Sequence, residues 1–450
     1  MRLKGMRALV VGLGRTGVAA AKFLSSRDAF VTVTDSRQSE QLSHELEMLK
    51  AFPQINYELG KHRDKSFLDA DVIVVSPGVP LSIPPLVRAM KSKRKVMSDF
   101  ELASYFLKDL PLVVITGTNG KTTTTTLIGK IFEEAGKKVF VGGNIGNSIL
   151  NLFLEGRPVE ALVAEVSSFQ LETTRSLRPT AALLLNITED HMERHETFES
   201  YVELKAKIFK LADGSYPAIV NRDDPRCFEI AQTLTQPVYY FSKSPFVGKG
   251  VYSKGKEIKI VEGEKSRTLC HLEQWKLKGP HNIENAMASV LAATLHGIAA
   301  EPIQRALDQF QGLPHRLEFV RRKNFVSFYN DSKSTNVDSL LRSLESFCKP
   351  VILIAGGKDK GTELTPLVNL VREKVKYLLL VGEAKERFNR ILGHCTRTFI
   401  LGGMEEAILL AYQLSNSDDV ILFSPGCSSF DMFSSYVERG NYFKERVMAL

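Results

Sequence analysis

The sequence predicts an α/β protein of three domains built on parallel sheets. One pattern predicts it by recurring three times: a short apolar strand, a glycine-containing loop, then a helical pattern. Length agrees, because 450 residues with 44% hydrophobic content are too many for one ordinary core and enough for several. The expected domains are 1–97, 98–312 and 313–450, with short linkers around Ser98 and at Gly312-Leu313-Pro314.

In the first domain a strand over Ala8–Val11 leads into Gly12-Leu13-Gly14-Arg15-Thr16-Gly17 and an alanine-rich helix over Val18–Ser25. Strands follow over Phe30–Thr34, ending at Asp35, and over Val72–Val75, ending at Ser76-Pro77-Gly78. The second domain runs from strand Leu112–Thr116 into Gly117-Thr118-Asn119-Gly120-Lys121-Thr122. It continues with strands around Val139, over Ala161–Val166 and over Ala181–Ile187, and a helix over Phe198–Ala212 that carries Lys205. Between Gly248 and Lys278 the pattern alternates like β structure, as an insertion would, before a helix over Asn282–His296. The third domain shows strands over Val351–Ala355, Tyr377–Val381, Thr398–Leu401 and Val420–Phe423, with its glycine loop at Gly356–Gly361.

Composition removes several function classes. Five cysteines, odd in number, widely spaced and never Cys-x-x-Cys, argue against disulfides and thiolate metal sites and for a reducing cytoplasm. The opening MRLKGMRALVVGLG imitates a signal peptide, yet glycines at 12 and 14 and Arg15 break the apolar run, so it reads as a first strand. No apolar stretch approaches the roughly 18–20 residues that cross a bilayer. The net charge of +8 is scattered among 51 acidic residues, which favours anionic small molecules over nucleic acid.

The loop at 117–122 follows a buried strand and opens a helix, so its amides and the helix N-terminus can face phosphates while Lys121 reaches the terminal ones and Thr122 offers a hydroxyl to Mg²⁺. The bland alternative is a glycine turn with a solvated lysine. Ile115 stands where the usual phosphate loop has its first glycine, so the match is to a shortened form. Gly12 to Gly17 taken alone is weaker: it fits a dinucleotide site, with Asp35 near the ribose-reading distance, or merely a tight strand-to-helix turn. Both loops together point to two phosphorylated ligands, one of them ATP and the other a nucleotide-linked substrate. Glu165 and His191 sit at the ends of apolar strands, where α/β sheets place ligands; His191 reads either as a metal ligand or as a hydrogen-bonded structural residue. Lys205 by itself reads as a surface lysine.

Read together, Thr116 to Thr122, Glu165-Val166-Ser167-Ser168-Phe169-Gln170, Asn186 to Arg194 and His281-Asn282-Ile283-Glu284-Asn285-Ala286 resemble the Mur ligase family over essentially the whole chain. Within it, the loop at 12–17, Asp35-Ser36-Arg37, Ser76-Pro77-Gly78, Asn330 to Asn336 and Ser424 to Phe433 resemble the branch that adds D-glutamate. The resemblance implies Rossmann-like N- and C-terminal domains around a central P-loop ATPase-like domain. It also implies a ligase acting on UDP-N-acetylmuramoyl-L-alanine, D-glutamate and ATP in cytoplasmic peptidoglycan precursor synthesis, as a monomer, through an acyl phosphate.

By the same resemblance Lys121, Glu165, His191 and Lys205 are catalytic. Thr122 and Glu165 hold one Mg²⁺; His191 and a carbamylated Lys205 hold a second. ATP falls to Gly117, Thr118, Asn119, Gly120, Lys121, Thr122, Thr123, Asn285, Arg316 and Asp331. The UDP-linked substrate falls to Arg15, Thr16, Asp35, Ser36, Arg37, Gly78, Asn144 and Gln170, and D-glutamate to Thr335, Lys360, Ser429 and Tyr436.

Overall fold

The computed structural model describes every residue except Lys108, Ile145, Glu193, Asp213 and Lys360. The described residues form two compact units: Met1–Glu273 with Asn285–Leu307, and Gln274–Glu284 with Asp308–Leu450. Among the described residues, the first unit holds two sheets and the second one.

The first sheet contains β1 (Arg7–Val11), β2 (Phe30–Asp35), β3 (Asn56–Leu59), β4 (Val72–Val75) and β5 (Lys95–Met97) in the order β3-β2-β1-β4-β5, all parallel. The inner strands β1, after Arg7, and β4 are apolar along their length because both faces are covered. Alternate residues feed different cores: Ala8, Val10, Val72 and Val74 pack on one side, Leu9, Val11, Ile73 and Val75 on the other. After β2 and β3 on one flank of β1 the chain crosses to β4 on the other, so the loops after β1 and β4 bound a crevice. Ser76 Oγ donates to the Gly12 carbonyl at 2.7 Å, and a Cβ on Gly17 would lie 2.0 Å from that same oxygen, so only glycine fits there.

The second sheet contains β6 (Leu112–Thr116), β7 (Val139–Gly143), β8 (Ala161–Glu165), β9 (Ala181–Leu184), β10 (Ala218–Asn221), β11 (Val238–Ser242), β12 (Gly248–Lys254), β13 (Glu257–Gly263) and β14 (Lys265–His271). Their order is β14-β13-β12-β11-β10-β9-β6-β8-β7, parallel from β7 through β12 and antiparallel beyond. The β insertion expected from the alternating pattern therefore lengthens one edge of the central sheet.

Two elements end earlier than their patterns suggest. The strand expected to reach Ile187 stops at Leu184, because Asn186 turns its backbone and side chain to the loop after β6. The helix expected to reach Ala212 is α-helical over Phe198–Ala206 and tightens to a 3₁₀ turn over Lys207–Lys210. There Tyr216 replaces the helical partners: its hydroxyl donates to Ile208 O at 2.7 Å and accepts from Leu211 N at 3.0 Å.

The stretch at Ser98 is not a loose connection. Ser98 is 3% exposed, caps the helix Asp99–Ser104 and meets the Thr174 hydroxyl at 2.7 Å. Glu101 in that helix accepts from the amides of Arg175 and Ser176 at 2.7 and 2.8 Å. These bonds fasten the end of the first sheet to the second.

The sheet of the second unit contains β15 (Glu318–Lys323), β16 (Val326–Asn330), β17 (Val351–Gly356), β18 (Val375–Val381), β19 (Arg397–Ile400) and β20 (Val420–Phe423), ordered β15-β16-β20-β17-β18-β19. Only β15 runs antiparallel among the described strands. Leu353, Leu380 and Leu422 face one core and Ile354, Leu379 and Phe423 the other.

Candidate active site

Strand β6 feeds the turn at 117–120, and helix Lys121–Glu134 starts directly on it. Gly117 and Gly120 hold φ of +153° and +84°, and a Cβ on Gly120 would stand 2.3 Å from Asn285 Oδ1. Asn186 braces the turn: its carbonyl accepts from the Thr118 amide (2.9 Å), and its side-chain oxygen accepts from the Asn119 amide (2.8 Å). The Thr118 hydroxyl donates to the Thr188 carbonyl at 3.0 Å and lies 3.2 Å from the Tyr201 hydroxyl. A helix N-terminus held this way is a preformed anion site.

Two lysines converge on one carbonyl. Lys121 Nζ donates to Gly117 O and Thr118 O, both at 2.8 Å, and Lys205 Nζ donates to the same Gly117 O at 2.7 Å. Lys205 is 2% exposed, with its Nζ 4.6 Å from the centre of the Tyr201 ring. Burial, then the neighbouring Lys121 charge, hold its pKa well below the ordinary lysine value. Across the sheet, Glu165 is 2% exposed; its Oε2 accepts from Thr122 Oγ1 at 2.9 Å and its Oε1 from Asn144 Nδ2 at 3.1 Å. His191 stands at φ +57°, a conformation a non-glycine residue holds only when its surroundings impose it, with Nε2 3.7 Å from Asp190 and its ring 5.2 Å from Phe169.

A cavity of about 450 Å³ opens at the carboxyl ends of β1 and β4. Arg15, Thr16, Asp35, Ser36, Arg37, Gly78 and Asn144, seven of the eight residues expected to hold the UDP-linked substrate, line it. Asp35 acts as a brace there. Its carboxylate accepts from the amides of Leu13 (2.7 Å) and Arg37 (2.9 Å) and from the Arg37 guanidinium (2.9 Å). Burial pushes its pKa up, but those hydrogen bonds outweigh it and leave the carboxyl below its usual value, so Arg37 is held by a charged partner. Gln170, the eighth, lies outside that cavity: it is 1% exposed, its Nε2 donates to Asp99 and its Oε1 accepts from Ser167.

In the second unit Asp331 is buried beside β16 and accepts from Ser424 Oγ at 2.9 Å and from the Leu317 amide at 3.1 Å, which holds the turn carrying Arg316. Burial raises its pKa to about 6 against those bonds. Ser429 is 2% exposed, Thr335 and Tyr436 are half-buried, and Lys333 Nζ stands 4.5 Å over the Tyr436 ring. Lys360 lies outside the described residues.

Three family models match successive stretches: the MurD-like N-terminal domain of Mur ligases over 6–98, the Mur ligase middle domain over 115–293 and the Mur ligase glutamate ligase domain over 315–427. The chain belongs to the Mur ligase family. It is 48% identical to the UDP-N-acetylmuramoylalanine--D-glutamate ligase of Geotalea daltonii, with 100% of this chain and 99% of that protein aligned. It is 43% identical to the protein of the same name from Bdellovibrio bacteriovorus, over 99% and 98%. Its fold resembles UDP-N-acetylmuramate-alanine ligase of Thermotoga maritima (TM-score 0.62, 19% identity, 99% of each chain). A pseudomurein peptide ligase type C of Methanothermus fervidus is similar too (TM-score 0.60, 20% identity, 98% and 99%).

In this Mur ligase the residues expected to bind ATP divide between the units. Those at 117–123 and Asn285 lie in the first, with Thr124 Oγ1 3.2 Å from Asn285 Oδ1; Arg316 and Asp331 lie in the second. Asn186 and Lys333 lie inside the stretches that carry the family resemblance but have no role assigned from sequence, and Tyr201 lies in no motif; the fold is what sets Asn186 and Tyr201 against the phosphate loop and Lys333 against Tyr436. Because Gly120 needs φ +84° and has no room for a Cβ, Gly120→Ala is expected to raise the KM for ATP about tenfold and to lower the melting temperature by several degrees. Titrating ATP in a phosphate-release assay, with a melting curve beside it, checks this; an unchanged KM would mean that the loop is not read by the nucleotide.

Proposed function

We infer that this chain is an ATP-dependent ligase that joins D-glutamate to UDP-N-acetylmuramoyl-L-alanine with release of ADP and phosphate, in peptidoglycan precursor synthesis. Asn144 carries the reading. It lines the cavity at the ends of β1 and β4 and donates to Glu165, which in turn accepts from Thr122 at the start of the phosphate-loop helix. One residue thus joins the pocket for the nucleotide-linked acid to the machinery for ATP.

The chemistry has two steps. A carboxylate oxygen of the L-alanyl group attacks the γ-phosphorus, the bond to ADP breaks, and an acyl phosphate forms. The amine of D-glutamate then attacks the carbonyl carbon, loses a proton, and phosphate leaves from a tetrahedral intermediate. Acid, nucleotide and both transition states are anionic, so the site must supply positive charge and fixed donors. Lys121 and the amides at the helix N-terminus do this; phosphate oxygens would take the place of the Gly117 and Thr118 carbonyls on its ammonium.

The residues present fit magnesium. Thr122 Oγ1 and Glu165 Oε2 are hard oxygen donors 2.9 Å apart, and a Mg²⁺ shared with phosphates needs only one or two protein ligands. When bound, the ion neutralises phosphate charge and orients the γ-phosphoryl group. Two ions are proposed, with His191 and Lys205 at the second. Lys205 suits that role only as a carbamate. As an ammonium it shares the Gly117 carbonyl with Lys121 in a buried space; as a carbamate it would offer anionic oxygens, and its burial favours the neutral amine that reacts with carbon dioxide.

D-Glutamate is assigned to Thr335, Ser429, Tyr436 and Lys360, with Lys333 as a further cation beside Tyr436. A cytoplasmic monomer is the proposed working form; among the described residues no helix is long and apolar enough to cross a membrane. The test is phosphate release with UDP-N-acetylmuramoyl-L-alanine and ATP over a panel of D-glutamate, L-glutamate, L-alanine and a diamino acid. Turnover with D-glutamate alone is expected, and preference for another amino acid would overturn the specificity.

A further inference from the structure

Asp99 opens the helix Asp99–Ser104 and is 0% exposed. A buried carboxylate is costly wherever an apolar side chain would pack, and burial pushes its pKa up to about 6. Its two oxygens hold two neighbours, one on the cavity wall and one behind it. Oδ1 accepts from Gln170 Nε2 at 3.1 Å, and Oδ2 accepts from Ser148 Oγ at 3.3 Å. Gln170 is held in that sense because its Oε1 already accepts from the Ser167 amide (3.1 Å) and hydroxyl (3.0 Å). Its amide nitrogen therefore requires an acceptor. Ser167 lies two residues after Glu165, and Ser148 lines the cavity and caps the 3₁₀ turn Ile149–Phe153.

Resting on the function inferred above, we propose that Asp99 is a positioning residue for the UDP-linked substrate: its buried carboxylate holds the Ser148 wall of the cavity and, through Gln170, the Ser167 turn behind Glu165. It touches neither substrate nor metal and acts through Ser148 and Gln170.

Steady-state phosphate release with each substrate varied in turn tests this. Asp99→Ala is expected to raise the KM for UDP-N-acetylmuramoyl-L-alanine about tenfold or more, with the KM values for ATP and D-glutamate within about twofold of wild type. Asp99→Asn should recover most of the loss, because its carbonyl still accepts from Gln170 while its amide donates to the Ser148 hydroxyl, which can accept. Ser148→Ala added to Asp99→Ala should change little further, since that arm is already cut. Should Asp99→Ala fail to fold, Ser148→Ala alone carries the test and should raise the same KM about threefold or more. An unchanged KM for the UDP-linked substrate, or an equal rise for all three substrates, overturns the proposal. A wild-type enzyme without turnover on these substrates would instead overturn the function on which it rests.

Discussion

Lys121→Ala is expected to lower turnover at saturating substrates about a thousandfold or more, equivalent to about 4 kcal/mol of transition-state stabilisation. The ammonium is held at the Gly117 and Thr118 carbonyls at the mouth of a helix N-terminus, and exchanging those carbonyls for phosphate oxygens would set it against the developing phosphoryl charge. The side chain is only partly buried and leaves the strand core untouched, so the melting temperature should move little. Phosphate release and a melting curve on the same preparation separate the two effects. Near-normal turnover in this variant would remove the loop at 117–122 from the chemistry.

The second large effect concerns Lys205. Lys205→Ala should be nearly inactive, and millimolar acetate or propionate should restore part of the activity by placing a carboxylate where the carbamate oxygen is needed. The cavity left at a 2% exposed position gives the small acid somewhere to bind. Full activity without added acid would take Lys205 out of the site. Inactivity that no carboxylate relieves would count against the carbamate and leave Lys205 as a brace on Gly117.

Lys205 also shows where a sequence stops being legible. On a helix over Phe198–Ala206 it looks like any solvated lysine, and only its placement beneath the Gly117 carbonyl makes it buried and its charge costly. For Gln170 the resemblance implies a substrate contact; what only the fold adds is that its amide nitrogen donates to Asp99 and its oxygen accepts from Ser167. The bracing of the phosphate loop by Asn186 and Tyr201 is visible only once β9 and the helix after it lie beside that loop.

From sequence alone came the α/β class, the three glycine loops and most strand positions, because a two-residue alternation, an apolar run or a glycine at positive φ is a local property of the chain. Tertiary structure alone decided which distant segments meet: Thr118 with Tyr201 across 83 residues, Thr124 with Asn285 across 161, and Asp99 with Gln170 across 71. Those meetings depend on strand order in a sheet where β6 lies between β8 and β9, and strand order follows from how whole elements bury their apolar faces together. Burial then sets for which lysine a charge is costly and which carboxylates are braced by hydrogen bonds, and no single stretch of sequence encodes that.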